Sequence, residues 1–503
     1  QKSNAAGFMK FRALPIVLFL ILVSEAFCFA QVPAAAEDFF ENGKVAYRAG
    51  DYAKALDFFN KAIRMGVGSQ DVYFRRGLAF EKLGDNQKAL DDYSKALELD
   101  PNLETAYNNR GSVYYRLGNF DSAIKDYSRA LELNPSYSLA YYNRGNAYYG
   151  KNSYDKAIED FGKALAIDPK DFDAYNNRGW ALTQKQDYDA AIKDFTKALE
   201  LNGDYALAYY NRGNAFLKKG HVDNAVKDLT KAIELNPEYA LAYFQRGNAY
   251  FRRNDLDRAL EDYNQSAKIN PQYPDLYNNR GWVFFTKGNS ALAMRDISKA
   301  ISLNPDLAKA YANRGWIHKS NSEFPKAVAD FSKAIELDPS NSTVYAYRAA
   351  CYMDMGSVDK AVKDLDKSVS LEESQPNSAT LTTLAALKEQ LGDFKSSSEL
   401  FRKVTQLRPD DAVGYYNLGL SLGKQGKFFE AIDNFTKSIS LSPDFKDAYL
   451  KRAIAYEFLG DKQKSSNDFS KALTIKTQRT PLSSVREPVN ADKVKEYLSS
   501  IKR

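Results

Sequence analysis

The sequence predicts an all-α solenoid, a linear array of about thirteen helix-turn-helix units. Two observations predict it. A glycine recurs every 34 residues, at Gly43, Gly77, Gly111, Gly145, Gly179, Gly213, Gly247, Gly281 and Gly315, and Ala349, Ala385, Gly419 and Ala453 continue the series. Each interval also holds two segments whose apolar residues fall at helical spacing. Such a period belongs to repeat arrays, where each unit buries its apolar face on its neighbours and no single large core is needed.

The unit Leu103–Pro135 (LETAYNNRGSVYYRLGNFDSAIKDYSRALELNP) shows the elements in order. Tyr107, Gly111 and Tyr114 lie along the first helix, and Leu117-Gly118-Asn119 signals a turn. Ala123, Tyr127 and Ala130 lie along the second, which Asn134-Pro135 ends, because proline disfavours helix at the residue before it. Small residues at 111, 123 and 130 let the two helices approach, and aromatic rings fill the gaps. Gly203 replaces the boundary proline in one unit, where a small local relaxation is expected. The linker Leu371 to Thr380 (LEESQPNSAT) has two extra residues, and the units after it are more divergent.

This pattern (aromatic-x3-Gly-x2-Tyr, then Ala-x3-aromatic-x2-Ala and a closing Pro) resembles the tetratricopeptide repeat family. The resemblance implies a right-handed superhelix of antiparallel helix pairs, with the first helices lining a concave side. The expected organisation is residues 1–30 as upstream residues plus a secretory signal, and 36–373 as a regular array of repeats 1–10. Repeats 11–13 follow in 374–476, as a looser continuation. Residues 477–503 form a linker and an amphipathic capping helix, Ala491 to Ile501.

An arginine precedes most of the glycines, and sixteen residues after it stands an aspartate. The series is Arg76/Asp92, Arg110/Asp126, Arg144/Asp160, Arg178/Asp194, Arg212/Asp228, Arg246/Asp262, Arg280/Asp296, Arg314/Asp330, Arg348/Asp364 and Arg452/Asp468. Three units have neither member: Asn42/Phe58, Leu384/Leu400 and Leu418/Asn434. Strict joint presence is what a contacting ion pair predicts, since stranding one member in a helix interface costs about 3–5 kcal/mol. An exposed pair, worth at most about 1 kcal/mol, enforces no such rule. These arginines are therefore expected to be structural, each bridging the two helices of its repeat.

The amides two residues before the periodic glycines are the candidate ligand contacts: Asn109, Asn143, Asn177, Asn211, Gln245, Asn279, Asn313 and Asn417. An amide offers both donor and acceptor, so a row of them can hold an extended peptide backbone without reading its sequence. In the family this edge faces the concave groove. Trp180, Trp282 and Trp316 immediately follow their glycines, and Tyr142, Tyr210 and Phe244 lie three residues before theirs. Aromatics beside amides mark recognition surfaces. The expected ligand is an extended peptide or partner protein; the alternatives are a glycan stacked on the rings, as in polysaccharide export or assembly, and a role as regulatory subunit of a separate enzyme.

Composition narrows the class further. The 70 basic and 64 acidic residues are finely interspersed, with a net charge of +6 and no basic block, which argues against a nucleic-acid partner. Met9-Lys10-Phe11-Arg12, the apolar run Leu14 to Val23 and the following SEAFCFAQVPAAAED have the order of a secretory signal, with cleavage after Ala30 or Ala26. Export to a periplasmic or extracellular compartment is the expectation, with an uncleaved N-terminal anchor as the variant. Translation is expected to start at Met9. After cleavage only Cys351 remains, so no internal disulfide is expected. His221 sits in a turn, His318 takes a place filled elsewhere by Tyr114 or Tyr148, and Cys351 replaces a small core residue. No phosphate loop, nucleophile elbow or Cys/His metal spacing occurs. The expectation is a non-enzymatic scaffold without metal or cofactor.

Overall fold

The computed structural model describes residues 35–372 and 377–475. The signal-like segment 1–30 and the stretch Ala491 to Ile501 lie outside the described residues, as does part of the linker at 373–376. The described residues fold into helices and contain no strand. A first compact unit ends at Asp255 and a second begins at Leu256. The first holds α1 (35–48), α2 (Tyr52–Arg64), α3 (Gln70–Lys82), α4 (Asn86–Leu99), α5 (Glu104–Arg116), α6 (Phe120–Leu133) and α7 (Ser138–Gly150). It continues with α8 (Tyr154–Ile167), α9 (Phe172–Gln184), α10 (Tyr188–Leu201), α11 (Ala206–Lys219), α12 (Val222–Leu235) and α13 (Ala240–Arg252). The second runs from α14 (Leu256–Ile269) to α26 (Lys462–Thr474) with the same alternation.

Consecutive helices pack on one another within each unit, and several first helices also touch the next first helix of the same unit, as α5 does α7, α9 does α11 and α15 (Pro274–Thr286) does α17 (Ala308–Ser320). Side chains on the first helices therefore meet across repeats, which positions the candidate site.

The local chemistry explains the regularity. Asn119 caps α6 by accepting from the Ser122 N–H at 3.2 Å, after Gly118 has turned the chain through φ +74°, a conformation glycine adopts without steric cost. At the other end, Asn134 is extended (φ −134°) and its N–H donates to the Ala130 carbonyl at 2.8 Å. The expected relaxation at Gly203 does not occur: Asn202 before it has φ −137°, the same extended geometry, so the helix end is set by the residue before the proline position.

The close approach centres on the periodic glycine. A Cβ on Gly111 would lie 2.8 Å from the Tyr127 ring, and that ring is fully buried. Burial pushes the Tyr127 hydroxyl up to about 12, raises those of Tyr93 and Tyr263 as well, and pushes the Cys351 thiol up to about 11. The fold favours the neutral forms, so this stability is complete below the unfolded values of 9.0 for the thiol and 10.0 for the phenol and is lost through the folded ones. The urea midpoint is expected to fall progressively from about pH 9 to pH 12; a flat midpoint over that window would contradict it.

Candidate functional site

The periodic arginines come first, because they set what their neighbours can reach. Arg110 Nε donates to Asp126 Oδ2 at 2.7 Å and Nη2 to Oδ1 at 2.8 Å. The same two-point contact joins Arg76 to Asp92, Arg144 to Asp160, Arg178 to Asp194 and Arg212 to Asp228. In the second unit it joins Arg280 to Asp296, Arg314 to Asp330, Arg348 to Asp364 and Arg452 to Asp468. The aspartates are buried, Asp228 being 4% exposed. Each guanidinium lies over the tyrosine three residues before it, as Arg110 does over Tyr107 at 5.6 Å. Hydrogen bonds to Asp194 hold the Arg178 guanidinium above its usual range in spite of burial.

The third guanidinium nitrogen makes a contact that the sequence reading missed. Nη1 of Arg110 donates to Ser94 Oγ at 3.0 Å, that of Arg144 to Ser128, that of Arg212 to Thr196 and that of Arg348 to Ser332. Each of these partners lies sixteen residues earlier, on the second helix of the preceding repeat. One arginine thus ties its own repeat together and to the one before. Gly162 takes this place opposite Arg178, with Nη1 3.7 Å from where its Cβ would be. Gly162→Ser is expected to raise stability by about 1–2 kcal/mol, from helix propensity and the new hydrogen bond. Thermal unfolding measures it; a variant no more stable than the parent would contradict it.

The amides beside these arginines link successive first helices. Asn143 Nδ2 donates to Asn108 Oδ1 at 3.0 Å, Asn211 Nδ2 to Asn176 Oδ1 at 2.9 Å and Asn313 Nδ2 to Asn278 Oδ1 at 2.9 Å. Asn108, Asn176 and Asn278 in turn donate to Asn109, Asn177 and Asn279. Asn177 Nδ2 reaches both Tyr142 Oη and Asn146 Oδ1 at 3.0 Å, and Gln245 Oε1 accepts from Asn248 at 2.9 Å. The first asparagine of each Asn-Asn pair is therefore a buried hub. Only the recurrence of the pair in the sequence pointed to it.

Three of the expected ligand contacts are corrected by this seam. Asn211 is 5% exposed, Asn417 1% and Phe244 5%, so none of them presents a surface to a ligand. Asn211 lies where α11 packs on α9. Asn177 is half-buried, with its N–H groups already committed. Asn109, Asn143, Asn279, Asn313 and Gln245 are also half-buried. Among the described residues, the Asn109 N–H groups have no protein acceptor, and the Asn143 and Asn313 side-chain oxygens have no donor. The amide row is thus mainly a staple between repeats, with bonding capacity left at particular positions.

The aromatic residues are distributed in the same way. Trp316 packs on Tyr347 with centroids 4.6 Å apart, Trp282 on Phe285 at 5.3 Å, and Tyr210 on Tyr239 at 4.9 Å. Trp180 leans on the core around Phe195, and Tyr142 on Phe161 at 5.9 Å. All five are half-buried, with one side committed to protein.

Repeats 11 and 12 lack the ion pair, while repeat 13 keeps it in Arg452 and Asp468. Leu384 and Leu400 share one cluster, and repeats 11–13 are tied by a continuous core from Ala385 to Ala472. Cys351 is fully buried, and His318 Nδ1 bonds Glu323. Among the described residues no cluster of metal-capable side chains occurs, and no helix is long and apolar enough to cross a membrane.

The yeast Tom70 crystal structure is 21% identical, with 92% of this chain and 99% of that one covered and a TM-score of 0.38. The crystal structure of YrrB, described as a TPR protein with an unusual peptide-binding site, is 28% identical over 37% of this chain and 95% of its own, with a TM-score of 0.32. An uncharacterized protein of Methanocaldococcus jannaschii, MJ0572, is 30% identical over 66 residues, 13% of this chain and 77% of its own. Models of the tetratricopeptide repeat match residues 77–118, 111–152, 138–171, 161–193 and 179–220. They match again at 210–274, 244–308 and 308–341, and at 379–411, 412–445 and 446–479. Together these cover well over half of the chain, which belongs to the tetratricopeptide repeat family, a scaffold fold typical of protein–protein interaction and peptide binding.

Proposed function

We propose that this protein is an exported, non-catalytic scaffold that binds an extended peptide, or an extended segment of a partner protein, across its first helices. The observation that carries the reading is the unspent amide capacity at Asn109 and Asn143 on the adjacent helices α5 and α7. A donor pair at Asn109 and an acceptor at Asn143 match the alternating carbonyl and N–H groups of an extended backbone. The half-buried rings of Tyr142 and Trp180 add apolar contact nearby in the series. Export rests on the basic start and the apolar run Leu14 to Val23.

The binding test uses a random-sequence peptide library selected against the full chain. Asn109→Asp keeps the oxygen that Asn108 bonds and removes the N–H groups. It is expected to weaken the selected peptides by about threefold to tenfold, the worth of one hydrogen bond, without changing the melting temperature. Unchanged affinity would remove Asn109 from the site. For export, the mature chain recovered from an exporting host is expected to begin at Gln31; one that begins at Met9 would contradict cleavage.

A further inference from the structure

One cavity is not accounted for by the amide row. It lies between α23 (Ala412–Lys424), α24 (Phe428–Leu441) and α25 (Lys446–Phe458), has a volume of about 190 Å³, and is lined by Leu420, Gly423, Phe428, Ile454 and Phe458 among others. Its origin is a missing side chain. Gly423 stands four residues after the periodic glycine, where other repeats carry Tyr149, Leu217, Phe251, Phe285 or Met353. A Cβ built there meets only the Ala431 Cβ, at 3.9 Å. Leu420, in turn, takes the place of Trp180, Trp282 and Trp316. At the mouth, the Phe458 ring stacks on Phe428 at 4.7 Å with planes 4° apart, yet Phe458 remains 68% exposed. An open aromatic pair at the rim of an apolar cavity marks an interaction surface.

We propose that the cavity is filled by this chain's own segment Val494 to Ile501. Chain continues for 28 residues beyond Ile475. Within it Val494, Tyr497, Leu498 and Ile501 fall at i, i+3, i+4 and i+7, an apolar stripe of the right width for one groove. A cavity of about 150 Å³ takes a benzene ring, so this one has room for the Tyr497 ring or the Leu498 side chain. Reach does not limit the contact: the residues between Ile475 and Val494 span up to about 60 Å extended, several times the roughly 20 Å length of α25. Tethering at this length gives an effective concentration on the order of millimolar, enough for a modest apolar contact to be occupied. The site lies between two first helices, α23 and α25, and not on the exposed end of the last repeat, where the sequence alone places a cap. The segment thus acts as a built-in ligand of the last two repeats, and this holds whether or not an outside peptide binds α5 and α7.

The test is a photo-crosslinker, benzoylphenylalanine, in place of Phe458 in the full chain. The expected product is an intramolecular crosslink to a peptide within 494–501, identified by mass spectrometry. Tyr497→Asp with Leu498→Asp lies outside the repeats and is expected to lower the yield about tenfold, as loss of 1.4 kcal/mol of contact would. Gly423→Trp, which fills the cavity from the other side, is expected to do the same. A crosslink between two chains, a crosslink elsewhere or none, or a yield unchanged by both sets of substitutions would overturn the proposal.

Discussion

Asp228→Leu is expected to lower stability by about 3–5 kcal/mol, because it leaves the Arg212 guanidinium in a helix interface without its carboxylate. That guanidinium makes bonds of 2.7 and 2.9 Å to Asp228, and its side chain is only 19% exposed, so water replaces little of what is lost. Leucine at both Arg212 and Asp228 is expected to restore most of the stability, since a buried ion pair and a well-packed apolar pair of similar volume are often close in free energy. The chain contains the natural version of this exchange at Leu384 and Leu400. Thr196 tolerates the double change, because its hydroxyl keeps a 2.7 Å bond to the Ile192 carbonyl. A urea double-mutant cycle reads the coupling directly; additive single effects would contradict it.

Tyr127→Ala is expected to cost about 3–5 kcal/mol as well, by a different mechanism. The ring is 1% exposed and fills the space that Gly111 leaves between α5 and α6. Its hydroxyl donates to Ser112 Oγ at 3.2 Å. Removing the ring opens a cavity at the tightest point of the repeat, and the glycine opposite has no side chain to collapse into it. The reverse change, Gly111→Ala, pushes a methyl to 2.8 Å from the ring and is expected to cost about 1–3 kcal/mol by overpacking. Chemical denaturation checks both; a Tyr127→Ala chain within about 1 kcal/mol of the parent would mean that the repeats collapse around the gap.

Which of these features were legible in the sequence follows from how narrowly each position is constrained. Arg110 and Asp126 were readable as a pair because a buried guanidinium accepts no substitute for its carboxylate, so both residues come and go together. The tie from Arg110 to Ser94 was not, because serine, threonine and asparagine all serve at that position and all are common on helix surfaces. Asn109 and Asn108 look equivalent as letters, yet the rotation of about 100° between neighbouring helix positions makes Asn108 a hub 2% exposed and leaves Asn109 at the edge. Phe244 was misread because its register does not settle exposure: its ring is 5% exposed, while Tyr142 and Tyr210, also three residues before their glycines, stay half-buried. Gly423 gave no signal, since an isolated glycine in a helix reads only as a weak helix former.

The division of labour in the Tyr-Asn-Asn-Arg-Gly stretch has one direct measurement. It is the dissociation constant of a library-selected peptide for two full-length variants, Asn109→Asp and the Arg212→Leu/Asp228→Leu pair. The account predicts an affinity about threefold to tenfold weaker for the first and unchanged for the second. Loss of binding in the arginine–aspartate variant, with Asn109→Asp unaffected, would contradict it.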